Sequence, residues 1–344
     1  MNLYQNNEKV SVAICTYCGE RYITEQLTSI IQQTRPVQEI ILSDDSSTDC
    51  TIELADSILS TSGIPYRIIR NQKNSGVTKN FETCISACSG NIVLTSDQDD
   101  LWKPNKVEML LASFDDPKVV LAYSDAKIID ANGCELYPSL YRRDGFLPEP
   151  FTQRKYTDAV VRLSQTVYGC TMAFRKDFVS SIIPFYNSRA NHDAWIMACA
   201  PLFGKIAFLP EPLISYRIHG ENTVASIKGS SAWDDILAKQ DEYDAHFAIQ
   251  PLRSLRLDLL LEAVNRCGSR FRALYYRGSI HKSVRMYERL CKIKTHGKLY
   301  AAKELTVSLL DGSYRFRFCD RGVSQGKVKR FKQFVHDISF VMHR

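Results

Sequence analysis

The sequence predicts an α/β fold built on a mostly parallel, Rossmann-like sheet. Short β-branched runs alternate with stretches of helical apolar period between residues 10 and 100. Three of those runs end in polar clusters: Cys15-Thr16-Tyr17, Ser43-Asp44-Asp45 and Ser96-Asp97-Gln98-Asp99. In such sheets ligands bind outside the carboxyl ends of the strands, so the three clusters converge on one ligand edge.

The first strand is the apolar run 10–15. A helix follows, with Tyr22, Ile23, Leu27, Ile30 and Ile31 spaced near 3.6 residues, and Pro36 ends it. Residues 39–43 form the second strand, closing on Asp44-Asp45-Ser46-Ser47-Thr48-Asp49. Thr48 or Asp49 is the expected cap of a helix carrying Ile52, Leu54, Ala55, Ile58 and Leu59. Residues 66–70 are the third strand and 71–76 a turn-rich loop. A helix with Phe81, Cys84, Ile85 and Cys88 leads into the fourth strand at 91–95. The sheet continues at 119–123, and a mixed region runs through Cys170 to Phe174. An apolar helix starts within 190–197, then come two short strands, 206–209 and 213–216. From about residue 230 the chain turns helical and basic.

Asp97, Asp99 and Asp100 are the most telling residues. Like charges this close raise one another's pKa, and a divalent cation relieves them. Hard oxygen ligands select Mg²⁺ or Mn²⁺, and Mg²⁺ shares its shell with substrate phosphates. The cluster thus suggests a metal holding a pyrophosphate. A solvated acidic turn before a helix opened by Lys103-Pro104 is the competing reading, weakened by the two other clusters on the same edge.

The chain has 344 residues, enough for one large or two modest domains, and 44% apolar with 24% charged residues is ordinary for a globular protein. No run of 18 apolar residues is present, and the polar residues 1–9 lack a signal-peptide core, so a cytoplasmic protein is expected. The 11 cysteines are odd in number and irregular in spacing, which predicts thiols. Cys15-Thr16-Tyr17-Cys18 has no second pair to complete a zinc site. Residues 251–344 carry 21 Lys and Arg against 7 Asp and Glu, a net +14, while the first 250 residues carry −8. That split points to an anionic partner for the C-terminal part. Residues 328–342 place Phe331, Phe334, Val335, Ile338, Val341 and Met342 on one face, with Lys327, Lys329, Arg330 and Lys332 at the start. This is the pattern of a basic amphipathic helix on a membrane surface; packed helices with a solvated charged face would read similarly. No nucleic-acid partner is expected, because the aromatics lie on the apolar face and no binding motif accompanies the charge.

In order, Cys15-Thr16-Tyr17, the segment 39–49, Asn74-Ser75-Gly76-Val77-Thr78-Lys79-Asn80-Phe81 and Asp97-Gln98-Asp99-Asp100-Leu101-Trp102 resemble the nucleotide-sugar domain of family 2 glycosyltransferases, across about residues 10–225. The Asp-Gln-Asp-Asp-x-Trp form is similar to the branch containing bacterial rhamnosyltransferases. The resemblance implies a GT-A fold over 1–225, with 226–344 as a helical, basic C-terminal extension. It also implies a nucleoside-diphosphate sugar donor, Mg²⁺ or Mn²⁺, and inversion at the anomeric carbon.

By resemblance, Thr16 and Tyr17 line the base pocket, and Asp45, with Asp44, accepts a hydrogen bond from base or ribose. Gly76 and Asn80 belong to the donor site, Asp97 faces ribose or sugar, and Asp99 ligates the metal. One departure is Cys18, where the family usually has Asn. Transfer needs a base for the acceptor hydroxyl. Asp193, in His192-Asp193-Ala194-Trp195, corresponds to the family's acidic residue before a Trp; a helix N-cap is the alternative. His219 completes the metal shell or is a structural hydrogen-bonder, Arg217 holds a phosphate or lies on the surface, and Trp195 stacks on the acceptor sugar or sits in the core. The implied activity extends a lipid-linked saccharide of bacterial O antigen or capsule, with L-rhamnose from dTDP as first choice. The enzyme would associate peripherally with the anionic inner face of the plasma membrane. The alternative is a non-catalytic sugar-nucleotide-binding scaffold.

Overall fold

The structure is a computed structural model and describes residues 8–143, 167–186 and 191–219, together with 262–263, 266, 303–307 and 310. The chain divides into two compact units, Met1–Leu147 with Val167–Ala225, and Pro148–Thr166 with Ser226–Arg344. In the second unit Ala263 and Leu305 are buried. The amphipathic stretch 328–342 lies outside the described residues. Among the described residues, no helix is long and apolar enough to cross a membrane.

In the first unit, β1 (Val10–Thr16) is buried along its whole length. It sits between β2 (Glu39–Asp44) and β4 (Ile92–Ser96), and β3 (Tyr66–Arg70) flanks β2. All three pairings are parallel. The register is what matters for function: Thr16 pairs with Asp44 and Ile14 with Ser96, so the three polar clusters end level with one another.

Helices α1 (Ile23–Ile31), α2 (Thr51–Leu59) and α3 (Val77–Ala87) connect these strands. α1 buries Ile23, Leu27 and Ile30; α3 buries Phe81, Cys84 and Ile85. Each of these Ile, Leu and Phe side chains contributes roughly 1.5–3 kcal/mol by leaving water. α1 stops at Ile31, short of Pro36, and the N-cap of α2 is Cys50. Asp49 still serves that helix start, since its Oδ1 accepts the Thr51 N–H at 3.1 Å.

The second half of the sheet adds β5 (Leu101–Trp102), β6 (Val119–Ile129), β7 (Glu135–Tyr137), β8 (Met172–Arg175) and β9 (Lys205–Arg217). α4 (Lys106–Ala112), α5 (Leu140–Arg143), α6 (Lys176–Ser180) and α7 (His192–Phe203) accompany them. The strand order is β3-β2-β1-β4-β8-β6-β9-β5, with β7 on β6. β8 runs antiparallel to both β4 and β6, so the sheet is parallel through four strands and mixed beyond. β9 is one strand where two short ones were expected. Its register with β6 steps from Leu209 to Pro212 across Ser124 and Asp125. A bulge of this kind absorbs Pro210 and Pro212, which cannot donate to the ladder.

Candidate active site

A cavity of about 870 Å³ opens at the carboxyl ends of β1, β2 and β4, a size suited to a small-molecule ligand. Thr16, Tyr17, Asp45, Gly76, Asn80, Asp97, Asp99, Asp193 and His219 all line it. Asp44, Arg217 and Trp195 do not.

At one end, Tyr17 is 51% exposed and offers its ring to a ligand. Gln98 grips the Tyr17 backbone through both amide atoms. The next residue, Cys18, has φ +49° and donates its N–H to Ser47 Oγ at 2.8 Å. Asn tolerates the left-handed region better than most side chains. The Cys18 departure is therefore met in the backbone, which keeps this conformation without the Asn.

Asp44 is corrected from ligand contact to strut. It is buried, and its carboxylate accepts hydrogen bonds from Thr16 Oγ1 at 2.7 Å and the Ser47 N–H at 2.8 Å. Asp45 faces the cavity but already holds the 71–76 loop. It accepts from Asn71 Nδ2 at 2.9 Å, the Ser75 hydroxyl at 2.7 Å and the Gly76 N–H at 2.8 Å. Burial works to raise its pKa, but these hydrogen bonds from Ser75, Asn71 and Gly76 outweigh it and hold the carboxyl below its ordinary value. Gly76 has φ +85°, a conformation glycine takes without strain, and precedes the first turn of α3. Asn80 is buried, and its Nδ2 donates to the Ser43 carbonyl at 2.9 Å while its Oδ1 accepts from Asn71 at 3.1 Å. Its amide is used within the protein, so Asn80 helps to fix the 71–76 loop through Asn71.

The acid cluster divides by orientation. Asp97 faces the cavity; burial first, then the charges of Asp100, Asp99 and Asp193, push its carboxyl well above the ordinary value. Asp99 also faces the cavity, and its Oδ2 lies 2.9 Å from His219 Nε2. The His219 ring packs on Tyr22 with centroids 4.9 Å apart. Asp100 turns inward. Its Oδ1 accepts the Arg217 N–H at 3.0 Å, Oδ2 has no hydrogen-bond partner among the described residues, and burial with Asp99 pushes it to about 7.

Lys106, which sequence reasoning missed, is wholly buried beside this cluster. Its Nζ donates to the Cys170 carbonyl at 2.7 Å and lies 3.7 Å from the Trp102 ring centroid. Burial pulls it down to about 7. Asp97, Asp100 and Cys170 bring ligand atoms within 4.8 Å of one another. Burial pushes the Cys170 thiol up, so it stays protonated, and sulfur suits Mg²⁺ and Mn²⁺ poorly. By donor chemistry the cavity-facing Asp99 and His219, which touch, suit those ions better, with imidazole favouring Mn²⁺; Asp97 lines the same cavity, but the ligand atoms of these three residues do not all lie within 4.8 Å of one another.

Arg217 is corrected from phosphate holder to buckle. Its buried guanidinium donates to the Asp99 carbonyl at 2.8 Å, the Ala131 carbonyl at 3.2 Å and Glu25 Oε2 at 2.7 Å. The same group lies 4.7 Å from the Tyr22 ring centroid. At the start of α7 the N-cap is Asn191, so Asp193 belongs to the first turn, with Oδ1 accepting the Ala194 N–H at 2.6 Å. Trp195 is 1% exposed, and its Nε1 donates to the Ile182 carbonyl at 3.1 Å. The acceptor role expected of Trp195 is therefore corrected to a core role.

The mixed α/β sheet thus brings its acidic strand ends to one small-molecule cavity. A family model described as "Glycosyl transferase family 2" matches residues 11–183, half of the sequence, and the chain belongs to that family. A glycosyltransferase of Nostoc sp. is 28% identical over 234 residues, 65% of this chain and 69% of that protein. The dTDP-rhamnosyl transferase RfbG of Shigella flexneri is 27% identical over 225 residues, 62% of this chain and 74% of its own. Among solved structures, S. aureus TarS 1-349 in complex with UDP-GlcNAc matches with a TM-score of 0.54 at 19% identity, over 94% of this chain and 92% of that one. At that identity the likeness is one of fold.

Proposed function

We propose that the chain moves a sugar from a nucleoside-diphosphate sugar to a saccharide hydroxyl, with inversion at the anomeric carbon. The observation that carries this is the presence of Asp97, Asp99 and Asp193 in the lining of one cavity. Mg²⁺ or Mn²⁺ held by Asp97, Asp99 and His219 would neutralise charge on the departing diphosphate. Tyr17 covers the base, and the loop fixed by Asp45 closes the donor end. Asp193 takes the proton of the acceptor hydroxyl as its oxygen bonds to the anomeric carbon. The bond from that carbon to the diphosphate oxygen breaks, and the proton rests on the Asp193 carboxyl.

L-rhamnose from dTDP is our first choice of donor, supported by the Asp-Gln-Asp-Asp-x-Trp segment and by the likeness to RfbG. A lipid-linked acceptor of O-antigen or capsule synthesis, met at the inner face of the plasma membrane, is supported by the +14 charge of residues 251–344. We propose 226–344 as the docking region.

A thermal-shift panel with Mn²⁺ and UDP, dTDP, GDP or CDP sugars tests the reading, since a ligand of the native state raises its stability. A metal-dependent shift with one nucleotide is expected; no shift with any would sink it. Asp193→Asn should keep that shift and lose transfer by about 100-fold or more. Retained turnover would remove Asp193 as the base, and transfer absent from the wild type would leave a binding scaffold.

A further inference from the structure

Arg21 is the one lysine or arginine among the described residues that line the cavity. Against it stand the carboxylates of Glu20, Asp45, Asp49, Asp97, Asp99 and Asp193. A lining so acidic repels a diphosphate, and a single divalent ion offsets only part of that repulsion. The two cations beside the acid cluster are committed within the fold. Arg217 is buried and donates to the Asp99 and Ala131 carbonyls and to Glu25. Lys106 is buried and donates to the Cys170 carbonyl.

Arg21 differs from both. It is exposed, and it makes no hydrogen bond or ion pair with any described residue. The nearby carboxylates are engaged with backbone: Glu20 Oε2 accepts the Cys50 N–H at 3.0 Å, and Asp49 Oδ2 accepts the Glu20 N–H at 3.1 Å. The Arg21 guanidinium instead lies over the Tyr22 ring, with Cζ 5.1 Å from the centroid. The same ring packs on His219, which touches Asp99. Tyr22 thus gathers Arg21 and the Asp99–His219 pair around one cavity-lining side chain. An arginine laid on an aromatic ring, with no acid partner, keeps its fork of N–H donors unspent.

We infer that Arg21 is a donor-recognition residue whose guanidinium binds the diphosphate of the nucleoside-diphosphate sugar. A guanidinium only donates hydrogen bonds and a diphosphate only accepts them, so the two match in charge and in geometry. A sugar hydroxyl, uncharged, would make little use of the cation. The inference rests on the proposed transfer reaction and adds to it a grip on the diphosphate from a residue that is no metal ligand.

Calorimetry in Mn²⁺ measures UDP, dTDP, GDP and CDP, and competition measures uridine, thymidine, guanosine and cytidine. The readout is the affinity ratio of each diphosphate to its own nucleoside. Arg21→Gln should fold with unchanged Tm, because the side chain is exposed, and should lower that ratio about tenfold or more. Arg21→Lys should restore part of it, since an ammonium keeps the charge without the fork. Arg70→Gln is the control, removing an exposed charge at the carboxyl end of β3, outside the lining. It should lower the ratio by less than about twofold, because exposed charges at a distance are screened. A ratio unchanged in Arg21→Gln, or lowered as much by Arg70→Gln, overturns the inference while the transfer reaction stands. If the wild type prefers no diphosphate over its nucleoside, both fall together.

Discussion

Gln98 clasps the backbone of Tyr17 at both ends: Oε1 accepts the Tyr17 N–H at 2.8 Å, and Nε2 donates to the Tyr17 carbonyl at 3.0 Å. A Cβ on Gly19 would lie 2.3 Å from the same Oε1, so glycine there makes room for the clasp. The glutamine between two cavity-facing aspartates thus holds the loop that carries Tyr17. Gln98→Ala should weaken nucleotide binding about fivefold, the value of roughly 1 kcal/mol, with little change in Tm. Calorimetry with UDP and dTDP measures it. Equal affinity in wild type and variant would mean that the clasp is only structural.

Asp99→Ala should abolish the gain in nucleotide affinity produced by Mn²⁺. His219→Ala should reduce that gain about tenfold, because the two side chains are in contact. Titrating Mn²⁺ at fixed nucleotide reads both. Metal dependence that survives in both variants would move the ion toward the Asp97, Asp100 and Cys170 grouping.

Acidity should oppose the metal. Burial and the neighbouring carboxylates raise the pKa of Asp97, so the metal-free site holds a proton that an arriving cation must displace. Mn²⁺ affinity should therefore rise with pH through the raised pKa and level off above it. Each displaced proton adds at most about tenfold per pH unit. Calorimetry over a pH series from acid to alkaline decides; an affinity that stays flat across the whole series would mean that Asp97 is not a ligand.

Arg217→Ala should destabilise the protein by about 2–4 kcal/mol. It leaves the Asp99 and Ala131 carbonyls without their guanidinium donor inside the fold. Arg217→Lys should rescue little, since an ammonium cannot reproduce the planar fork. Urea denaturation measures the loss, and a value under about 0.5 kcal/mol would class Arg217 with ordinary surface residues.

The first four strands were legible because their signal is local: apolar runs of strand length bounded by turns. β8 and the unbroken β9 were not, since an antiparallel insertion and a proline-tolerant bulge are decided by sheet neighbours. The site followed the same division. Residue type suggested Asp97, Asp99 and Asp193, but not which way their neighbours point. Trp195 lies two residues beyond Asp193, about 200° around the helix, so it faces away from the wall that Asp193 lines. Asp44 and Asp45 are adjacent on a strand end, and only one can face the cavity. Gln98 lies inside the Asp-Gln-Asp-Asp-x-Trp segment, where an uncharged amide between carboxylates gives no sign of the backbone contact it makes. Lys106 had no readable signal, because a lysine on an amphipathic helix is nearly always exposed.

The contact between Asp99 and His219 joins positions 120 residues apart, and β9 delivers the second of them. On a ribosome adding about 5–20 residues per second, the interval is roughly 6–24 s. During that time β1 to β4 have emerged, and their acidic ends lack both His219 and the Arg217 buckle. The nascent chain thus carries the acidic strand ends of the cavity before it carries His219. Any grip on donor that depends on Asp99 and His219 together begins only when the end of β9 has left the tunnel.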